Sequence, residues 1–299
     1  MSNFFQFVIE GLTIGSFYAL VALGYTMVYG IIRLINFAHG DLFMVGAFVG
    51  WTGLTVLAAA HLPLALALLI ALVASMAVTG ALGLAIERVA YQPLLRAPRL
   101  SILITALGVS LALENGVLLL YGAGFNTYPH VLSQAGLEFQ GVQITFAQVS
   151  IIAASFALML ALYFFVHRTF VGTAMRALAI DQDAARLMGI DVERLIQLTF
   201  FLGSALAAVA GVMEGLFYTQ INFFMGFVLG LRAFTAAVLG GIGNIPGAMA
   251  GGILIGLLES FSAGYVSSRW TDVLVFGVLI AVLVIKPTGL FGERVVERM

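Results

Sequence analysis

The chain has 299 residues, of which 62% are apolar and 9% are charged, against roughly 45–50% and about 25% in soluble globular domains. A soluble fold of this composition would leave much of its apolar surface in water, so a water-soluble protein is excluded. The formal net charge of −1 gives no sign of nucleic-acid binding or of a polybasic lipid anchor. Cysteine is absent, which excludes a disulfide framework and cysteine-ligated metal. We therefore expect an integral membrane protein.

Breaks in the apolar pattern divide the chain into nine candidate membrane spans. Their lengths are typical of helices and exceed the roughly ten-residue strands of a membrane barrel. All six prolines fall at or between span boundaries, where a helix can end. The predicted fold is all-α, a polytopic bundle of about 8–10 transmembrane helices that forms one domain over residues 1–299. The spans are 8–32, 40–60, 62–86, 101–121, 145–166, 195–217, 226–243, 247–266 and 271–286.

Basic residues predict the orientation of these spans. They cluster in the loops at 87–100 and 167–194 and in the C-terminal tail, whereas the loop at 122–144 has none. By the positive-inside rule, the basic segments and the C-terminus are cytoplasmic, and the 122–144 loop and the N-terminus are outside. The first span follows no basic n-region, so it is predicted to be retained and not cleaved as a signal peptide. The basic residues of these two loops and the tail are Arg88, Arg96, Arg99, Arg168, Arg176, Arg186, Arg194, Lys286, Arg294 and Arg298.

Glu114, Glu214, Glu259 and Arg232 fall inside predicted spans, where a charge costs roughly 2.5–3.5 kcal/mol at the helix centre. Glu114, Glu214 and Glu259 read as isolated carboxylates without basic partners. These carboxylates either line a polar pathway or lie near the membrane interface or in protonated form beside a neighbour, and both interpretations stay open. Arg232 lies in the glycine-rich span at 226–243, which is either a full crossing or a re-entrant or broken element.

Small residues recur at four-residue spacing in two stripes near the end of the chain. This spacing lets helix backbones approach closely in lipid, so both stripes are predicted to pack against other helices. The stripes are Gly243, Gly247, Gly251 and Ala248, Gly252, Gly256.

Familiar catalytic motifs are missing from the sequence. A phosphate-binding P-loop needs Gly-Lys before Ser or Thr, but the only lysine is Lys286, which follows Ile285. No HExxH or GxSxG motif occurs, so the usual hydrolase sites are absent too. We predict a non-enzymatic chain without catalytic residues, metal ligands or cofactors. An enzyme embedded in the membrane stays an alternative, although no sequence motif supports it.

The stretch RLINFAHGDLFMVGAF, residues 33–48, interrupts two apolar runs with polar residues and glycine. Asn36, His39, Gly40 and Asp41 predict either a turn in which Asp41 caps the next helix or a mobile, pathway-lining hinge. A weak echo of this stretch, an Asn followed by a Gly and a small-residue helix, occurs at 244–256. It hints at an internal repeat of the kind that transporters use. The candidate hinge residues there are Gly243, Asn244, Pro246 and Gly247.

The loop at 167–194 contains a short predicted helix. Asp181 can cap its N-terminus, Gly189 can end it, and Asp191 can cap the next span. About seven residues are too few for a helix to be stable alone. It must therefore pack either on its own bundle or on a partner, through an apolar face that consists of Ala184, Ala185, Leu187 and Met188.

The chain resembles the permeases of ABC importers for branched-chain amino acids. The runs YALVALGYTMVYGIIRLINFAHGD, IERVAYQPL and AFTAAVLGGIGNIPGAM are similar to that family over nearly the whole chain. The loop at 167–194 resembles the family's cytoplasmic coupling segment, which transmits ATP hydrolysis. The resemblance implies a coupling role for Arg176, Ala179, Asp181, Ala184, Ala185, Leu187, Met188, Gly189 and Ile190.

The resemblance also implies partners and a location. The chain would form half of a pathway with a second, related permease in a bacterial inner membrane. Two cytoplasmic ATPases and a periplasmic or extracellular binding protein would complete an importer for leucine, isoleucine, valine or related amino acids. Related permeases carry urea or short amides, which stay alternative substrates. An ion-coupled secondary transporter that works alone is the alternative from another class.

Overall fold

The structure, a computed structural model, describes residues 2–95, 97–129, 131, 135–139 and 141–292. Arg96, Arg294 and Arg298, which contribute to the predicted orientation, lie outside this part of the chain. The helices are α1 (Ser2–Ile32), α2 (His39–Ala59), α3 (Leu64–Ile86), α4 (Arg99–Tyr121), α5 (Phe146–Arg168), α6 (Phe170–Ile180), α7 (Gln182–Leu187), α8 (Val192–Tyr218), α9 (Met225–Gly240), α10 (Ile245–Ser262) and α11 (Thr271–Ile285). The strands are β1 (Asn126–Thr127), β2 (Gly136–Phe139), β3 (Val142–Thr145) and β4 (Gln220–Ile221).

Seven helical stretches of the described chain are long and apolar enough to cross a membrane. The prediction of a helical membrane bundle is confirmed. One of these stretches, Ile245–Ile285, contains two predicted spans, α10 and α11. Ser267 between them is extended, with φ 179° and ψ 145°, and the two helices pack against each other.

The predicted span at 226–243 corresponds to a short helix. Helix α9 has 16 residues and is therefore about 24 Å long, less than the roughly 30 Å of the hydrocarbon core. Strand β4 and a turn precede it. The glycine-rich segment is therefore a broken element, in which an extended stretch leads into a helix too short to cross the hydrocarbon core.

The two small-residue stripes bring α10 against two different helices. Gly247 and Gly251 face the backbone of α9, whereas Gly252 and Gly256 face the backbone of α1. Gly243 lies in the turn before α10, with φ +96°. The prediction that the stripes serve helix packing is confirmed, because a Cβ on any of these four helical glycines would collide with the facing backbone.

The ends of the bundle carry different segments. At one end, called the α7 end, Gln182 Nε2 of α7 donates to the Ile31 carbonyl of α1 at 2.8 Å. The turn between α9 and α10 lies beside the same part of α1, and the segment after α11 bonds to the end of α9. At the other end, the hairpin end, the backbone N–H of Gln143 in β3 donates to Gln6 Oε1 at 3.0 Å. Which side of the membrane each end faces stays a prediction.

The loop at 122–144 is anchored in the bundle at its described start. Strand β1 pairs with β4 in antiparallel register, and Trp51 Nε1 donates to the Thr127 carbonyl at 2.9 Å. Tyr128 is fully buried, and this burial raises the pKa of its phenol well above the usual range. The loop therefore fixes the link between α8 and α9, which lines the cavity described below.

Candidate functional site

The break between α1 and α2 is a tight, strained turn. Helix α1 ends at Ile32, and Arg33 adopts φ +52°, a left-handed conformation that costs energy for a residue with a Cβ. Helix α2 begins at His39 after Ala38, which makes no side-chain capping bond. The prediction that Asp41 caps α2 is wrong. The helix begins at His39, three residues earlier than that role requires, so Asp41 lies inside its first turn.

Asn36 joins this turn to the extension of α3. Helix α3 continues into a π-helical turn, Glu87–Tyr91, and Tyr91 Oη donates to Asn36 Oδ1 at 2.6 Å. Both side chains are buried. Among the described residues, Asn36 Nδ2 has no hydrogen-bond partner. The turn is thus positioned by a buried bond and keeps an unused donor.

His39 and Gly40 pack α2 closely against neighbouring helices. The His39 ring is buried and lies 4.8 Å from the Tyr25 ring. A Cβ on Gly40 would lie 2.8 Å from the Gly230 Cα of α9, closer than real contacts allow. Residue 40 must therefore be glycine for α2 and α9 to approach this closely.

Asp41 is buried at the edge of α2. Its two carboxylate oxygens are buried and have no hydrogen-bond partner within normal distance in the described chain. The polar groups near it include Ser110 and Glu114 of α4 and Tyr25 of α1. A buried carboxylate of this kind is costly in structural terms, which makes it a candidate pathway residue and not a helix cap.

The second candidate hinge lies at the turn between α9 and α10. Asn244 caps α10, because its Oδ1 accepts from the backbone N–H of Gly247 at 2.8 Å, and Pro246 occupies the first turn. Asn244 Nδ2 also donates to the Phe291 carbonyl at 2.9 Å. The turn lies beside the last turn of α1, where Gly243 approaches Gly30. The structure thus brings the two candidate hinges to neighbouring positions on α1.

The predicted short helix of the 167–194 loop is α7, and its caps form as expected. Asp181 Oδ1 accepts from the backbone N–H groups of Asp183 and Ala184 at 2.9 and 3.0 Å. At the other end, Gly189 adopts φ +82°. Its N–H and that of Ile190 bond back to α7 in the Schellman pattern. Asp191 Oδ1 accepts from the Arg194 N–H at 3.1 Å and so caps α8.

The apolar face predicted for α7 is divided between two sides. Leu187 and Met188 are 88% and 82% exposed, and Ala184 is exposed too. Ala185 is 4% exposed and packs inside the bundle, so the prediction that it shares one apolar face with Ala184, Leu187 and Met188 is wrong. Helix α7 therefore rests on its own bundle through one side and presents two large apolar side chains on the other.

A second helix, α6, supports α7, and the sequence reasoning missed it. Thr169 caps α6 by accepting from the backbone N–H of Gly172 at 3.0 Å. Gly172, Met175 and Leu178 are its buried residues, at the three-residue spacing of neighbours on one helix face. That spacing and the Thr cap are the signals that identify the helix. Arg176 and Ala179 of α6 line a small cleft with the end of α1 and the turn before α10.

Charged side chains meet in the hairpin half of the bundle. Arg232 Nη1 donates to Glu259 Oε1 at 2.6 Å, and its Nη2 donates to Asp272 Oδ1 at 2.7 Å. Tyr18 Oη donates to Glu259 and accepts from Arg232 Nη1. The prediction that the intramembrane carboxylates lack basic partners is wrong for Glu259, because α9 brings Arg232 to it across 27 residues of sequence.

Comparison with known proteins identifies the family. The family described as "Branched-chain amino acid transport system / permease component" matches residues 7–283. The chain belongs to this permease family. It is 45% identical to the high-affinity branched-chain amino acid transport system permease protein BraD of Pseudomonas aeruginosa, over 99% of this chain and 98% of that protein. It is 44% identical to the corresponding LivH of Escherichia coli K12, again over 99% and 98%.

A solved structure gives a weaker likeness to the permease. It is a metal-chelate type ABC transporter in an inward-facing conformation, with 15% identity and a TM-score of 0.47, over 93% of this chain and 85% of that one. A likeness at this level carries no argument about function.

Two residues of the permease matter more than the sequence reasoning indicated. Gln182 attaches α7 to the last turn of α1, and Arg232 holds the charged cluster together. For Gln182, the sequence carries no signal, because its partner is a backbone carbonyl 151 residues away. For Arg232, the signal is a cation in an apolar run, which requires an anionic partner.

Proposed function

We propose that the permease is the membrane-spanning translocation subunit of an ABC importer for branched-chain amino acids in a bacterial inner membrane. The observation that carries this proposal is the match over 99% of the chain to two permease proteins whose names state high-affinity branched-chain amino acid transport. The subunit itself is non-catalytic and uses no cofactor. Its partners are a second permease, two ATPases and a periplasmic or extracellular binding protein.

Residues 167–194 are the cytoplasmic coupling loop in this proposal, and α7 is the element that docks into an ATPase subunit. Two observations support the role: large apolar side chains are exposed on α7, and caps hold the helix at both ends. The hydrogen bond from Gln182 to Ile31 connects α7 to α1. Movement of α7 then reaches the hinge residues Asn36 to Asp41 directly along the chain.

The two candidate hinges would move together, because both are connected to α1. The turn at 33–38 follows α1 directly, and the turn at 241–244 lies against the same helix. A displacement of the end of α1 therefore acts on α2 and α10 at once. In this mechanism, closure of the ATPases moves α7, and α7 moves α1. The two hinges then open the pathway alternately to one side of the membrane and to the other. The N-terminus is outside and the C-terminus is cytoplasmic.

Uptake by the reconstituted complex tests the proposal. Proteoliposomes that contain both permeases and both ATPases should accumulate radiolabelled leucine when ATP and loaded binding protein are present. Omission of the ATPases should abolish uptake. Uptake driven by an ion gradient in liposomes of the permease alone would overturn the proposal in favour of a secondary transporter. Uptake of urea or acetamide but not leucine, each presented with its own binding protein, would overturn the substrate class.

A further inference from the structure

A cavity opens in the hairpin half of the bundle, next to the charged cluster. Its volume is about 310 Å³, in the size range of small-molecule sites, roughly 300–1,000 Å³. Helices α1, α8 and α9 form its walls, and the link between α8 and α9 forms part of its rim. Glu214 and Arg232 line the cavity together with the apolar side chains of Ile14, Phe17 and Val228.

Among the charges around this cavity, one carboxylate makes no ion pair in the described part of the chain. Arg232 directs its Nε and Nη2 to Asp272 and its Nη1 to Glu259 and Tyr18. No ion pair joins Glu214 to a basic group in the described chain. Its Oε2 is buried and has no hydrogen-bond partner there. A buried carboxylate oxygen without a partner is costly, and the Glu214 side chain lines the cavity, so a cationic donor in the cavity would compensate this carboxylate.

Most of the other side chains that line the cavity are apolar. Ile14 and Phe17 of α1 face the cavity together with Val228 and Leu229 of α9. A ligand that satisfies both surfaces has an ammonium group and an aliphatic side chain a short distance apart. Neutral amides at the rim, Asn222 and Gln220, supply N–H donors for a carboxylate. These features together describe an aliphatic α-amino acid in its zwitterionic form.

We propose that this cavity is the substrate site of the permease. It binds an aliphatic α-amino acid by its ammonium group through Glu214, and the ligand's side chain lies against α1 and α9. Arg232 does not contact the ligand's carboxylate but positions the cluster, because four of the five N–H donors of its guanidinium are already directed to Glu259, Asp272 and Tyr18. The inference rests on the proposed function and adds the location and the recognising groups.

The first test removes the charge at Glu214 in the complete transporter. Proteoliposomes with both permeases, both ATPases and leucine-loaded binding protein should show leucine uptake at least about tenfold lower for Glu214→Gln than for the wild type, because the ammonium group loses its buried partner. Glu10→Gln is the matched control, since Glu10 is also a carboxylate of a membrane helix, α1, but does not line the cavity. Equal uptake by the Glu214→Gln variant and the wild type would overturn the proposal.

The second test changes the size of the cavity and measures the ratio of valine uptake to leucine uptake. This ratio does not depend on how much transporter assembles. Val228→Phe makes the cavity smaller, which disfavours leucine more than valine, since valine is one methylene shorter. The ratio of valine to leucine uptake should therefore rise about tenfold, the low end of the discrimination that one methylene gives in an apolar pocket. Val273→Phe is the control, because Val273 is an exposed valine of α11 outside the cavity.

The outcomes separate the two proposals. If the wild-type complex takes up no amino acid with ATP, the proposed function fails. If the wild type transports leucine but Val228→Phe leaves the ratio unchanged, the function stands and the cavity is not the substrate site. If Glu214→Gln does not assemble, the ratio measured with Val228→Phe decides alone.

Discussion

Gly40 is the residue at which the backbones of α2 and α9 come closest in the candidate hinge. We expect Gly40→Val to reduce ATP-driven leucine uptake severalfold while the variant still copurifies with the second permease. The added Cβ would lie 2.8 Å from the Gly230 Cα and must push α2 away from α9, at a cost of typically 1–3 kcal/mol. Gly108→Val is the control, because no atom lies within 4 Å of a Cβ at that helical glycine. Equal uptake by both variants would leave residues 36–41 a purely structural turn.

Gln182 is the residue that attaches the coupling helix to α1. Gln182→Glu keeps the shape of the side chain but replaces the N–H donor by an oxygen that faces the Ile31 carbonyl. Because one such hydrogen bond is worth about 1 kcal/mol, we expect leucine uptake per ATP hydrolysed to fall about fivefold. Both rates are measured in the same proteoliposomes. Gln197→Glu on α8, a position with no recorded side-chain bond in the described chain, should leave this ratio unchanged. An unchanged ratio in Gln182→Glu would remove the link from the mechanism.

At the scale of elements, α7 is a short helix that depends on its caps and on contacts with the bundle. Six residues are too few for a stable isolated helix, and its structure depends on Asp181, Gly189 and the burial of Ala185. Its exposed apolar side chains then have no function inside the chain. A helix with fixed ends and an uncovered apolar face is what a docking element requires.

The exposed face of α7 gives a prediction about the ATPases. Leu187→Glu should leave the permease folded, because the side chain is 88% exposed and such surface substitutions usually change stability by less than about 0.5 kcal/mol. It should reduce copurification of the ATPase subunits and leucine uptake together, at least about tenfold, because docking would bury an unpaired charge. Leu137→Glu, an exposed leucine at the hairpin end, should retain the ATPases. Retention of ATPases and uptake by Leu187→Glu would rule out α7 as the docking element.

The whole molecule has two distinguishable ends, and its orientation can be tested because the chain contains no cysteine. Single cysteines at Ala123 and Asp183 lie at opposite ends, and both positions are exposed. An impermeant maleimide should label Ala123→Cys in intact cells but label Asp183→Cys only after permeabilisation. Labelling of Asp183→Cys in intact cells would reverse the orientation and refute the cytoplasmic assignment of α7. The same variants serve for crosslinking, in which Ala184→Cys should join to an ATPase subunit and Ala123→Cys should not.

The charged cluster shows how distant elements combine at this scale. Tyr18, Arg232, Glu259 and Asp272 come from four helices, α1, α9, α10 and α11. Each one alone is a costly intramembrane polar group. Together they satisfy one another and leave Glu214 as the unpaired carboxylate beside the cavity. The candidate substrate site therefore arises from the packing of several helices, and no single sequence motif encodes it.

The sequence by itself determined the features that depend on neighbouring residues. Helix lengths follow from apolar runs, and the caps at Asp181, Gly189 and Asp191 follow from local backbone chemistry. The small-residue stripes follow from a four-residue period. These signals lie within a few residues of their effect, so a single sequence contains them.

Only the tertiary structure decided which side of each element is covered. Ala185 and Leu187 have the same local signal, but the bundle buries one and exposes the other. Asp41 resembles a helix cap in sequence, yet packing against α9 and α4 places it inside the first turn of α2. Glu259 finds Arg232, and Gln182 finds Ile31, only because the helices between them turn back through the membrane. Partners that are distant in sequence depend on the packing of the whole bundle, since no local rule fixes the distance between them.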